Sequence, residues 1–281
     1  MSNISLTASM RSNLLSLQNT SKLMSQTQER LATGKKVNSA IDNPSSYYTA
    51  QALNNRASDL SALLDSMGQA ISTIKAADEG ISAITSFVEQ AKAVATSAAD
   101  TTDADERGAY AAQFNAIRAQ IDSLANDSGY KGVNLLKGDS LTVTFNEGRD
   151  SQLVIGGVTA TSAGLSIGEA KTTGDATENW KDAGATGATG AITKAIEAAT
   201  DAIETLRGHA SAFGNNYSIV QTREEFTTNL INVLEEGADK LTLADMNEES
   251  ANMLALQTSQ QLAINSLSLA SQAAQSDLRL F

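Results

Sequence analysis

His209 is the only histidine in the 281 residues. It is the first place to look for proton transfer, because imidazole titrates near neutral pH and works as a general base beside a nucleophile. It lies in "LRGHASAFG", inside an apolar seam of helical spacing and with no obvious nucleophile, which favours a packed or solvated helix position. The acidic run "DTTDADERG" at 100–108 has the charge of a calcium loop but fails the D-x-[DN]-x-[DN]-G spacing, so a solvated helix-start cap is expected there. "GATGATGA" at 184–191 lacks the Lys-Ser/Thr of a phosphate loop and the flanking strand of a dinucleotide site, and reads as flexible surface loop. Trp180, the sole tryptophan, falls in that exposed stretch and is expected to be a local packing anchor rather than a ligand platform. The chain has no cysteine, which removes disulfides, thiolate nucleophiles and cysteine metal sites and leaves the redox compartment undetermined. No catalytic, cofactor-binding or metal-binding residue is nominated, and no enzyme is expected.

Charge narrows the partners. A net charge of −12 argues against nucleic acid and anionic membrane, both of which need a basic footprint. Aromatic residues are 4% of the chain, too few for a thick core packed on large rings, so the apolar surface must be thin and long. The first twenty residues place Arg11 after the first apolar residues and hold no uninterrupted apolar run, so a cleavable signal peptide is not expected, nor is a bilayer-spanning segment. A protein of this kind would leave the cell unprocessed, through a dedicated machine.

The elements are helical. From 53 to 88 the spacing 4,3,4,3 runs through Leu53, Ala57, Leu60, Leu64, Met67, Ile71, Ile74, Ile81 and Val88, missing at Asp78 and Thr85. A helix from about Tyr48 to Ala99 would measure about 75 to 80 Å at 1.5 Å per residue. Tyr110, Phe114, Ile117, Ile121 and Leu124 repeat the pattern in a shorter helix ended by "NDSG". A third seam passes through Ile192, Ile196, Ala199, Ile203, Leu206, Ala210, Phe213, Tyr217 and Val220 to Thr227, Ile231 and Leu234, interrupted by Glu224.

Both extremes are amphipathic: Met10, Leu14, Leu17, Met24 and Leu31 at the front, and Leu256, Ala263, Leu267, Ala270, Ala274, Leu278 and Phe281 at the back. Ordering a backbone costs about 1 to 2 kcal/mol per residue, so each stripe needs a partner surface and alone should be disordered. Between the seams, Leu141, Val143 and Phe145 alternate, 146–149 turn, and Leu153 to Ile155 resume, which predicts a β-hairpin. Residues 166–190, rich in Gly, Ala, Thr and Asp, read as loop. Helices, a small β insert and helices again bring both ends of the chain back together.

One stretch breaks the helical pattern, "RLATGKKVNSAIDNPSSYYTAQAL", with the only proline of the chain. Gly34 can take φ > 0 as a C-cap, and Pro44 pre-sets φ and drives Asn43 out of the α region, so the chain leaves one helix and enters another at a fixed offset. Lys35, Lys36, Asn38 and Asp42 add polar groups beyond what a hinge needs.

This stretch closely resembles the N-terminal signature of bacterial flagellins, L-x-[ST]-G-K-[KR]-[IV]-N-S-A-x-D-[DN]-P. "ADEG" at 77–80, "GYKGVNLL" at 129–136 and "ANMLALQTSQQLAINSLSLASQAAQSDLRLF" at 251–281 are similar to further landmarks of that family, in the right order. The resemblance covers roughly 1–157 and 190–281. It implies a mainly α fold, a long antiparallel coiled-coil rod formed by the two chain ends, with a small β-hairpin insert and a short variable loop.

The implied segments are an inner-tube helix at 1–33, a spoke-like loop at 34–47, rod helices at 48–137, a hairpin region at 138–165, a variable loop at 166–190, a rod helix at 191–236 and a second inner-tube helix at 237–281. The implied function is a subunit that polymerises with copies of itself into the extracellular filament used for swimming, its terminal helices folding on assembly. Implied partners are the flagellar type III export apparatus, an export chaperone, the filament cap and hook-junction proteins. An exported hook–filament junction protein is the alternative; it should match the glycine-lysine signature poorly. An adhesin or enzyme carried on the filament would need a larger middle.

The resemblance also bears on the Toll-like receptor that detects many flagellins. Detected members carry Q-R-x-R-E-L-A after the "EG" landmark. Here the matching stretch is "EQAKAVA", so Gln90 and Lys92 stand for the two arginines, Ala93 for the glutamate and Val94 for the leucine. Gln113 replaces a further contacting glutamate. Losing one partner of a buried charge pair costs about 2 to 5 kcal/mol, so weak or absent recognition is expected.

Overall fold

The computed structural model describes residues 8–173, 179–181 and 187–279. Among the described residues five helices, α1 (Ala8–Thr33), α2 (Pro44–Asp100), α3 (Ala104–Asp127), α4 (Gly187–Thr242) and α5 (Met246–Arg279), and one antiparallel hairpin, β1 (Leu141–Thr144) with β2 (Gln152–Ile155), make the mainly α fold that the seams predict. The chain divides into two compact units, Met1–Ala57 with Asn232–Phe281, and Ser58–Ile231.

In the Ser58–Ile231 unit the predicted seam is the core. Leu60, Met67, Ile74, Ile81 and Val88 of α2 are buried, together with Phe114 and Ile121 of α3 and Ile192, Ala199, Leu206, Phe213 and Val220 of α4. Residues 74–79 face 213–217, and 89–96 face 200–207, so α2 and α4 run antiparallel here. Between the large residues α2 buries Ala70, Ala77, Ala91, Ala95 and Ala98, small side chains that let neighbouring backbones come close. Gly80 is the extreme case: a Cβ there would collide with the Ser128 hydroxyl and meet the Leu136 side chain at 2.7 Å.

The acidic run caps α3, as expected. Asp103 accepts from the backbone N–H of Asp105 at 2.7 Å and Glu106 at 3.2 Å, and the Thr101 hydroxyl donates to Glu106. At the other end of α3 buried Asn134 donates from Nδ2 to the carbonyls of Ala125 and Asn126. That places Leu135 and Leu136 of "GYKGVNLL" in the core. The hairpin pairs Leu141 with Ile155 and Val143 with Leu153, burying Val143, Phe145 and Ile155 on one face.

Three boundaries differ from the expectation. Helix α2 starts at Pro44, not Tyr48, because proline at the first helical position lacks only an N–H that has no intrahelical partner. Helix α4 runs through 237 to Thr242, and the second break falls at 243–245. Third, 166–190 is not loop throughout. Ile167, Ala170 and Trp180 are buried, and Lys171 bridges Asn179. Helix α3 holds this segment with two side chains and anchors the residues just before it with a third: Asn115 exchanges two hydrogen bonds with the Ala170 backbone, Arg118 Nε donates to the Ile167 carbonyl, and Asp122 accepts from the Ser162 N–H and hydroxyl. Composition hid this, since Gly, Ala and Thr suit a tethered segment as well as a free one. The first three residues of "GATGATGA", 184–186, lie outside the described residues.

Trp180 is the packing anchor expected of it, but buried rather than exposed, its ring centroid 5.1 Å from that of Phe114. Trp180→Ala should therefore cost about 3–5 kcal/mol. Chemical denaturation followed by helical circular dichroism measures the loss; an unchanged midpoint would show the ring to be dispensable.

Candidate assembly junction

Within the unit formed by the chain ends, the two helix breaks meet. Gly34, at φ +70°, closes α1 with its N–H donating to the Arg30 carbonyl at 2.8 Å, a left-handed cap that suits glycine. The backbone then runs beside the α4–α5 break. Lys36 N–H donates to the Thr242 carbonyl at 2.7 Å, Val37 N–H to the same carbonyl at 3.3 Å, and Ala244 N–H to the Gly34 carbonyl at 3.0 Å. The pairing of Lys35 with Leu243 is a single antiparallel β-bridge. Asp245 caps α5, accepting from the N–H groups of Asn247 and Glu248.

One ion pair locks the two helices that leave the junction. Arg30 donates to Glu249 at 2.8 Å, and Glu249 is buried. Farther along, Asn13 donates to Ser266 at 3.4 Å, so the contacts step equally and oppositely and α1 and α5 pack antiparallel. The two terminal stripes, expected to lack a partner alone, thus find each other in one chain. Met10 is buried, Leu17, Met24, Leu31, Leu256 and Leu267 are half-buried, and Leu14 is exposed. The side chain of Leu278, and Phe281 altogether, lie outside the described residues.

The loop between α1 and α2 is held by Asp42. Its carboxylate accepts from Asn38 N–H at 3.1 Å, Ser39 N–H at 2.9 Å and the Ser39 hydroxyl at 3.1 Å. These bonds, Ser39 foremost, hold the Asp42 carboxyl below its ordinary pKa. Asn43 caps α2, Oδ1 accepting from Ser46 N–H at 3.1 Å, ahead of Pro44. Asn38 donates from Nδ2 to the Lys35 carbonyl. Lys35 and Lys36 are exposed and form no ion pair among the described residues.

Gly34, Lys35, Lys36, Asn38, Asp42, Asn43 and Pro44 therefore do gather at one place. Sequence reasoning missed Arg30, Glu249 and the 242–244 segment that completes it; the acidic pair Glu248 and Glu249 in the first turn of α5 was the available signal. The receptor-related positions lie elsewhere, in the other unit. Gln90, Ala93 and Gln113 are exposed, and Lys92 and Val94 half-buried, with Val94 packed on the core. His209 is half-buried on α4. No cluster of three or more His, Cys, Asp or Glu able to hold a metal occurs among the described residues.

Residues 4–140 match the family model for the bacterial flagellin N-terminal helical region, and 196–281 that for the C-terminal helical region. The chain belongs to the bacterial flagellin family. It is 31% identical to flagellin FljM of Caulobacter vibrioides over 95% of both chains, and 30% identical to a flagellin of Brucella melitensis over 95% of both. A crystal structure of Bacillus cereus flagellin aligns with 58% of this chain and 88% of that one, at TM-score 0.47 and 15% identity. The chain is accordingly a structural subunit of the flagellar filament, which family membership places outside the cell, and it self-polymerises. The junction-protein alternative is not favoured. No helix among the described residues is long and apolar enough to cross a membrane.

The Asp42 clamp has a pH signature. Because the folded pKa is lowered, its stabilisation is fully present above the unfolded pKa and is lost as pH falls through the folded value. Carboxyl NMR should find Asp42 titrating below a free aspartate, and Asp42→Asn should remove the acid-dependent loosening of 38–43 in hydrogen exchange. An ordinary Asp42 midpoint would contradict the clamp.

Proposed function

We propose that α1 and α5 form the inner tube of the filament, that 34–43 is the spoke contacting neighbouring subunits, and that the Ser58–Ile231 unit supplies the outer layer. The observation that carries this reading is the apolar surface left over after α1 and α5 pair. Leu15, Leu23, Leu254, Leu262, Ile264 and Leu269 stay at least half exposed, a second stripe that further copies can cover. Covering it repays the ordering cost of the helices, so their final consolidation is coupled to polymerisation. A heterologous contact between identical subunits that does not close yields an open helical filament. The work is mechanical rather than catalytic, and needs no cofactor. Passage through the type III export apparatus, with a chaperone beforehand and the filament cap and hook-junction proteins at the growing ends, completes the set of partners; nucleic acid and membrane are not among them.

Deleting 256–281 tests the tube. The Ser58–Ile231 core is untouched, so the expected product is a folded monomer that fails to elongate seeds in sedimentation. Filaments from the truncated chain at the parental protein concentration would sink the role of α5.

We further propose weak or absent Toll-like receptor recognition. Gln90 and Gln113 are exposed on α2 and α3, where they offer a partner no charge, and Ala93 offers no hydrogen bond. In a receptor-reporter assay on monomer, the parent should be silent or weak and Gln90→Arg should gain signal. Parental activation matching that of a detected flagellin would overturn the proposal.

A further inference from the structure

Ile41 is 93% exposed, the most exposed of the large hydrophobic residues among those described. It sits on a loop that is not slack. Asp42 fixes the backbone at Asn38 and Ser39, and its own N–H donates to the Ser39 carbonyl at 3.2 Å, so the side chain is held outward by its neighbours. Two free cations, Lys35 and Lys36, stand on the same loop of a chain whose net charge is −12. Such a knob suits an apolar hollow with an acidic rim.

The other unit contains that hollow. A groove of about 450 Å³ has Ile74 and Phe213 as buried floor and Tyr217 as a wall, with Asp78 and Glu79 on its edge and the Lys75 ammonium drawn over the Tyr217 ring, 5.5 Å from its centroid, which leaves the edge acidic by one charge. Gly214 opens it: a Cβ there would meet nothing within 4 Å. Glycine inside a helix costs roughly 0.5–1 kcal/mol relative to alanine, and no turn or close contact at this position demands it. What its missing side chain provides is room.

We propose that Ile41 of one copy seats in the Ile74–Phe213–Tyr217 groove of a second copy, with Lys35 and Lys36 meeting Asp78 and Glu79. Knob and groove are different surfaces, so the contact is heterologous, the kind that an open filament of identical subunits requires. The assignment rests on 34–43 being an inter-subunit contact. Within that loop it divides the labour, Ile41 touching the neighbour and Asp42 positioning it.

Full-length chains test it, since a protein without cysteine accepts single reporters cleanly. Ile41→Ser should raise the critical concentration for seeded polymerisation roughly tenfold or more, and Ile41→Val little, with monomer melting unchanged in both. Filaments grown from a mixture of Ile41→Cys and Lys75→Cys chains, the second placed on the groove's edge so that Gly214 stays open, should give a disulfide-linked heterodimer on oxidation; either chain alone should give none. Polymerisation of Ile41→Ser at the parental concentration, or mixed filaments without the cross-link, would overturn the assignment. If Lys35→Glu with Lys36→Glu impairs growth in that case, the loop remains a contact and only the groove is wrong. If neither Ile41→Ser nor the charge variant alters growth, the loop reading falls as well.

Discussion

The backbone hydrogen bonds between 34–37 and 242–244 are the constraint on which the chain-end unit depends. They are few, but each sets register. Once Lys36 donates to Thr242 and Ala244 to Gly34, α1 and α5 must leave the junction side by side and in opposite directions, and Arg30 arrives opposite Glu249 without further adjustment. A slip of one residue would rotate α5 by about 100° and turn its half-buried stripe of Leu256, Ala263 and Leu267 away from α1. The buried carboxylate adds a penalty for such a slip, because a charge held out of water is tolerable only while its partner stays in place.

The Ser58–Ile231 unit solves a different problem, how to make a tight core with few aromatic rings. It uses small residues. Alanines at 70, 77, 91, 95 and 98 and Gly80 let backbones approach, and the few large side chains, Phe114, Phe213 and Trp180, fill what remains. Dispersion gains depend on close contact, so a core of alanine and β-branched residues works only where helices approach to the distance those residues allow. The buried polar groups of Asn134 and the bonds from Asn115, Arg118 and Asp122 then attach the hairpin and the segment after it to α3.

Periodicity made the helices legible, because burial along α2 and α4 follows a local spacing that survives its few misses, at Asp78, Thr85 and Glu224, and neither needs a distant residue to explain it. The α3 cap and the hairpin were legible for the same local reason: Asp103 serves the turn it begins, and Val143 and Ile155 alternate with exposed neighbours. What spacing could not supply was anything decided by tertiary contact. Trp180 is buried because α3 presents Phe114 to it, and nothing in its own glycine- and threonine-rich surroundings says so. Likewise Glu249 is an unremarkable first-turn acid until Arg30 stands opposite.

At the junction the residues that the sequence groups together stand in unlike surroundings. Gly34, Asp42, Asn43 and Pro44 act on their own backbone: a left-handed cap, a clamp, a helix cap and a first-turn proline. Their hydrogen bonds are already spent inside the chain, which leaves them little to offer a neighbour. The side chains of Lys35, Lys36 and Ile41 are the reverse case, exposed and making no hydrogen bond or ion pair within the described residues, although the backbones of the two lysines pair with 242–243. On the proposed reading, a loop of ten residues, 34–43, separates positioning from contact, and a subunit that must present one fixed surface to every copy of itself has a physical reason to do so, since the entropy of ordering the loop is met during folding and not again at each addition.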